Sequence, residues 1–173
     1  MVTGCVGVID RDDFDLVVES RGGGFSNDLV ADAAELVAER VGTDDLELTN
    51  LVVNPGSRLV VLTVRDPVVR ENVDRYTLTG RDGIRDVSPV RVRADEDLDA
   101  DTYRLSDIPA LDDLEALSDA ALEALSLDEG HIESIQVLVV MGAPQVHVSV
   151  ESPRAGGRVI FAPDGTVQGA RRS

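Results

Sequence analysis

The chain has no lysine and no tryptophan, one cysteine, two histidines, three phenylalanines and two tyrosines among 173 residues. One cysteine excludes a disulfide framework within the chain and a cysteine-built zinc site. Aromatics at 3% leave almost nothing on which to stack nucleic-acid bases. No apolar run approaches the roughly 18 residues that a membrane-spanning helix needs, so the sequence predicts no membrane partner. The opening Met1-Val2-Thr3-Gly4-Cys5-Val6 lacks a basic start and an apolar core, and no hydrophobic stretch precedes Cys5. It therefore predicts neither a signal peptide nor a lipid anchor. A mass of 18.5 kDa suits one domain, and 43% apolar residues suffice for a real core.

What the chain has instead is acid. Thirty-three carboxylates face 16 arginines, a formal charge of −17, with twice as many Asp as Glu and valine the commonest residue. This composition resembles that of proteins from salt-loving archaea, which hold molar salt in the cytoplasm. At molar salt the screening length falls to about 3 Å, so like charges no longer repel over distance. Carboxylates then keep the surface hydrated at little cost to the compact state. Lysine stems, which concentrated salt drives against neighbouring apolar surface, are absent. Such acidity describes a solvent before it describes a partner.

The charge is segregated. Residues 1–53 carry 12 acids and three Arg, and residues 54–93 carry five acids and eight Arg. Residues 94–133 carry 14 acids and one Arg, and residues 134–173 two acids and four Arg. Two readings fit: acidic helices packed on Arg-bearing strands of the same chain, or basic strands of one copy against an acidic helix of the next. For the second, the candidate subunit contacts are Arg91 and Arg93, facing Asp112, Asp113, Glu115 and Asp119. Arginine's planar fork suits either use.

Hydrophobic periodicity predicts strands at 2–9 and 14–19, then a helix capped by Ser26 or Asn27. Leu29, Val30, Ala33, Leu36, Val37 and Val41 lie on its apolar face, and Gly42 ends it. Strands at 46–53 and 58–64 flank Asn54-Pro55-Gly56-Ser57, which suits a type II turn with Gly56 at positive φ. Strands at 75–79 and 87–93 follow, the second alternating Val90 and Val92 with Arg91 and Arg93. A helix over 108–127 enters through Pro109, with Ser118-Asp119 as a candidate break. Strands at 132–141 and 145–151 flank Gly142-Ala143-Pro144. Strands at 158–162 and 166–170 flank Pro163-Asp164-Gly165. No internal repeat is visible. Residues 1–173 read as a single α+β domain, mostly antiparallel sheet with two helical segments packed on it. The acidic loop 94–107 and helix 108–127 are the pieces most open to a peripheral position.

No motif predicts a catalytic residue, a metal site or a cofactor. Asp10, Asp12, Asp13 and Asp15 cluster oxygens, but the EF-hand glycine and glutamate are missing. Arg21-Gly22-Gly23-Gly24 precedes a helix, yet lacks both the phosphate-loop lysine and the dinucleotide glycine spacing. His131 and His147 could share a metal if their strands adjoin. Cys5 has no histidine near it, and Ser57, Ser88 and Ser152 lack a nucleophile elbow. Arg154, Arg158, Arg171 and Arg172 form a basic end, too small to hold DNA in molar salt.

Ser106-Asp107-Ile108-Pro109-Ala110-Leu111, followed by Asp113-Leu114, resembles a stretch opening a helix in tail-terminator proteins of long-tailed phages. Those are small α+β domains that close the tail tube as hexameric rings, and the strand-rich second half is closer to tail-tube subunits. The resemblance implies a non-enzymatic structural subunit of a tail or neck, in a virion infecting a halophilic archaeon. Its partners would be copies of itself and neighbouring assembly proteins, with DNA touched only as a channel lining. The alternative is a cellular ligand-binding or regulatory domain, or an enzyme with an unfamiliar site, in the cytoplasm of such an archaeon.

Overall fold

Connections of two to seven residues between apolar runs build most of the sheet. The computed structural model describes residues 27–80 and 83–173; the strands expected at 2–9 and 14–19, the 10–15 acids, Cys5, Arg21–Gly24 and Ser26 lie outside them. Strand β1 (Leu48–Asn54) pairs with β2 (Leu59–Arg65) through the expected hairpin. Its turn is not type II. Pro55–Ser57 form one turn of 3-10 helix, and Arg58, not Gly56, takes the left-handed conformation at φ 49°. A type I-like turn closed by a left-handed residue follows the right-handed twist of the strands better than type II. β3 (Val73–Thr79) and β4 (Gly83–Val90) form the next hairpin. β4 ends at Val90, short of the expected Arg93. There the Arg93 amide donates to Glu96 at 3.2 Å and the Arg93 guanidinium meets Asp95 at 3.3 Å, a local turn that competes with the ladder.

β5 (His131–Val140) and β6 (Ala143–Glu151) follow. They turn on Met141 and Gly142, at φ 54° and 79°, the two left-handed residues of a type I′ hairpin, one residue before the expected turn. β7 (Gly156–Phe161) and β8 (Val167–Arg172) close the chain around Pro163-Asp164-Gly165, as the sequence predicts, with Gly165 at φ 87°.

Helix α1 (Leu29–Val41) buries Leu29, Val30, Ala33 and Val37, leaves Leu36 largely in solvent, and ends at Gly42, whose amide donates to the Ala38 carbonyl. Asp28 occupies its N-cap, while the Asn27 side chain instead accepts the Glu115 amide of the second helix. That helix, α2 (Leu114–Leu125), starts later than expected. Pro109 opens a 3-10 turn over Pro109–Asp112, and the Asp113 carboxylate then caps α2 by accepting from Ala116. Ser118 does not break the helix. Its buried hydroxyl donates to the Leu114 carbonyl at 2.7 Å, four residues back. The acidic segment before α2 is pinned to the core by Tyr103, which exchanges backbone hydrogen bonds with Leu48 and donates its hydroxyl to the Val137 carbonyl.

All eight strands join one antiparallel sheet in the order β4-β3-β2-β1-β5-β6-β7-β8. The molecule is thus an α+β fold dominated by sheet. It is also a duplication. A helix followed by a four-stranded meander occurs twice, and the halves meet at β1 and β5 about an approximate two-fold axis. Val30, Ala33 and Val37 of α1 match Leu114, Leu117 and Ala121 of α2, all buried. Leu51 and Val53 match Ile135 and Val137; Val60, Leu62 and Val64 match Val146, Val148 and Val150; Tyr76 and Leu78 match Val159 and Phe161. Even the irregularities match. A register shift follows Leu48 in one half and Ile132 in the other; a second falls after Thr77 and after Ile160. Both helices cover the same sheet face and share one core with these residues.

Candidate binding site on the helix-free sheet face

Because side chains alternate, the residues between the core positions form a second face, on which no described helix packs. Across it run Thr77, Val61, Val52, Gln136, His147, Ile160 and Gly169, each opposite the next in the ladder. One row over, Ser134, Ser149, Arg158 and Arg171 stand side by side on β5 to β8. Over β6, β7 and β8 this face opens into a cavity of about 660 Å³, lined among others by His147, Ser149, Arg158, Ile160, Gly169 and Arg171. Glu133 and Glu151 line it as well. Two smaller grooves, of about 550 and 530 Å³, flank α1 on the other side of the sheet, and Glu35 and Glu39 of α1 line both.

Arg158 and Arg171 are directly opposed, an arrangement that like charges disfavour. Neither forms an ion pair among the described residues, although Glu133 and Glu151 are near. The His147 imidazole lies beside Gln145, with Nε2 3.2 Å from the amide oxygen, and its Nδ1 is buried without a hydrogen-bond partner. Burial, and then the charge of Arg158, hold His147 below the usual histidine range. Gly169 gives the floor its room: a Cβ there would meet nothing within 4 Å.

The other polar concentration is structural. Arg65, 8% exposed, donates Nε to the Arg70 carbonyl at 2.6 Å and Nη1 to Asp99 at 2.6 Å and Glu47 at 3.5 Å. Arg70 adds a 3.0 Å contact to Glu47, and Arg104 meets Asp45 at 2.5 Å. Hydrogen bonds from Arg65 and Arg70 hold the Asp99 carboxyl below its ordinary range. Arg65 and Arg70 of the basic block 54–93 are therefore paired within the chain, through the acidic loop and the turn before β1 rather than through a helix.

Arg91 and Arg93 lie beyond the end of β4, exposed, at one edge of the sheet. The acids weighed with them follow a different element. Asp112 ends a 3-10 turn, Asp113 caps α2, and Glu115 and Asp119 lie exposed on α2, which packs on β5 to β8. No described ion pair joins the two sets. His131 and His147 are on adjoining strands but do not meet: His131 opposes Glu151 and His147 opposes Gln136, roughly 13 Å apart along β6 at about 3.4 Å per residue. Among the described residues no group of three or more His, Cys, Asp or Glu is placed to hold a metal. Ser57 and Ser152 donate to local carbonyls, and Ser88 opposes Arg75. Of the basic end, Arg158 and Arg171 enter the cavity as a pair. Arg154 lies in the β6–β7 turn, while Arg172 turns its guanidinium to the Leu125 and Ser126 carbonyls at the end of α2. Sequence reasoning saw the four as a patch. Counting outward from the Pro163-Asp164-Gly165 turn sets Arg158 against Ala170; the register shift between Ile160 and Phe161 moves it opposite Arg171, and nothing in the sequence signals that shift.

No family model and no curated protein matches the chain. Among solved structures, a protein of Clostridium difficile 630 described as a "putative lipoprotein" is similar in fold, with a TM-score of 0.61 at 14% identity over 83% of this chain and 92% of that one. Among the described residues no helix is long and apolar enough to cross a membrane.

Proposed function

We propose that this protein is a non-catalytic binding domain that works through the helix-free face of its sheet, in molar salt. One observation carries the reading: both described helices seal one face, while the other holds a roomy cavity with two arginines that have no ionic partner among the described residues. The test is light scattering of the full chain in molar KCl, which should show one copy. A ring or polymer overturns the binding reading.

A second reading, the tail or neck subunit that assembles with copies of itself, has one observation in its favour. The two sheet faces differ in charge: Asp32, Glu35, Glu39, Glu115, Asp119 and Glu123 stand exposed on the helices, and Arg75, Arg158 and Arg171 on the opposite face. Stacked head to tail, copies would match acid to base, and such contacts close into rings or extend as filaments. A defined oligomer lost in Arg158→Glu would favour this reading over the first.

A further inference from the structure

The two halves of the duplication give each position on the helix-free face a counterpart, and the counterparts differ most at one place. Arg75 corresponds to Arg158, and Thr63 to Ser149, so one arginine and one hydroxyl occur in both halves. Around that shared pair the two halves differ. Where the first half carries Ser88, Asp86 and Val61, the second carries Arg171, Gly169 and His147. An acid and two neutral groups in the first half stand where the second has another guanidinium, an open floor and an imidazole. These differences surround one cavity, and none serves packing: Arg158 and Arg171 are exposed, without an ion pair among the described residues, and mutually repulsive.

From this we infer that the β6–β8 cavity is a site for a compact oxyanion of the phosphate class, borne by a small solute. Two opposed guanidiniums offer parallel N–H forks that match the oxygens of such a group bidentately, and its negative charge removes their repulsion. The Ser149 hydroxyl, beside Arg158, is a further donor. Glu133 and Glu151 also line the cavity, so an anion is held only where it sits on the two arginines, and a polyanion that spreads along the strands meets these carboxylates. In molar chloride, selection must come from this geometry, because net charge is screened.

The inference rests on the binding reading above and names its ligand class. It is tested on the full chain in molar KCl with inorganic phosphate as the probe, followed by the side-chain NMR signals of His147 and the arginine Nε groups. Saturable shifts are expected, with the dissociation constant raised at least tenfold in Arg171→Gln and in Arg158→Gln. Arg171→Lys, which keeps the charge and loses the fork, should weaken binding by less. Arg75→Gln, the counterpart in the first half, should leave binding unchanged. Without phosphate, Arg171→Gln should melt no lower than the wild type, and it should lose the rise in melting temperature that phosphate produces. Absence of shifts in a monomeric protein overturns the ligand class and leaves the binding domain standing. Equal weakening by Arg75→Gln overturns it too, as mere screening. A ring in light scattering would sink the binding reading, whatever phosphate does.

Discussion

Arg65 is the one charged side chain buried among the described residues, and its removal probes how the acidic segment is held. Its guanidinium ties three separate pieces of chain together: the carbonyl of Arg70, the carboxylate of Glu47 and the carboxylate of Asp99. Breaking a fully buried ion pair costs about 3–5 kcal/mol. Here the partners are not fully buried: Glu47 is 20% exposed and keeps Arg70 and Arg104, and Asp99 is 77% exposed. Arg65→Met keeps the stem and loses the charge, so a cost of about 2 kcal/mol is expected, mostly the stranded Arg70 carbonyl and the weakened hold on Glu47. Arg65→Ala adds roughly 1 kcal/mol for lost packing of the stem. For a chain of this length, 2 kcal/mol lowers the melting temperature by about 4–8 °C. The loss should persist in molar KCl, because a buried contact is screened far less than an exposed one. Circular dichroism melts in molar KCl measure it, and amide exchange should quicken at 94–103. A melting point within about 1 °C of the wild type, or a loss equalled by Asp99→Asn, would refute the assignment of Arg65 as the anchor.

Acidification isolates His147. Its folded state favours the neutral ring, so its contribution is complete above the ordinary histidine value near 6.5 and is lost as pH falls through that value toward the lower folded one. The stability difference between wild type and His147→Gln should shrink across that window, and parallel curves would count against it. Gly157→Ala would place a methyl 2.8 Å from a Leu125 methyl and 2.9 Å from the Arg171 carbonyl, so a loss of roughly 1–3 kcal/mol is expected by denaturant titration, with Gly169→Ala as the unstrained control. Met141, fully exposed at positive φ, should give way to Asn with a gain of about 0.5 kcal/mol, read as a raised melting point. Dilution from molar to low KCl near neutral pH should unfold the chain, because −17 is then unscreened; an unchanged spectrum would remove the halophilic setting.

Much of the fold was legible because strands and helices leave periods in the sequence. The α1 face from Leu29 to Val37, the Gly42 stop, the paired runs around 55–57 and around 163–165, and the α+β class all follow from alternation and turn chemistry. What was not legible depends on competition between neighbours. Val92 continues the period of β4, but Glu96 captures the Arg93 amide first. Pro109 is a legitimate helix entry, but Asp113 offers a better cap four residues on. The duplication was invisible because the halves share register, not residues. Val53 and Val137, Val60 and Val146, Val64 and Val150, and Arg75 and Arg158 are identical, while the other matched core positions exchange one apolar residue for another, as any two strands would. The cavity was hidden for the same reason. Arg158 and Arg171 are 13 residues apart, and only the pairing of β7 with β8 makes them neighbours.

The edges of the sheet bear on which of the two functional readings the fold permits. Among the described residues β4 and β8 each pair on one side, leaving a ladder of backbone groups at either end. A ring or tube built by edge pairing needs unlike edges to meet, β4 of one copy with β8 of the next, because two like edges form a closed pair. β4 is poorly suited to this. Pro89 lacks a donor, and Arg85 and Asp86 place charges along the edge, devices that sheets use to stay single. β8 presents Gln168, Gly169 and Ala170 before its arginines and is the more open edge. Edge pairing therefore favours a two-fold dimer through β8 over any ring, and a ring would have to form through the charged faces instead. That contact would bury the β6–β8 cavity under the acidic helices of a neighbour. Cavity and ring therefore compete for the same two arginines, and phosphate should dissociate any ring that Arg158 and Arg171 hold together.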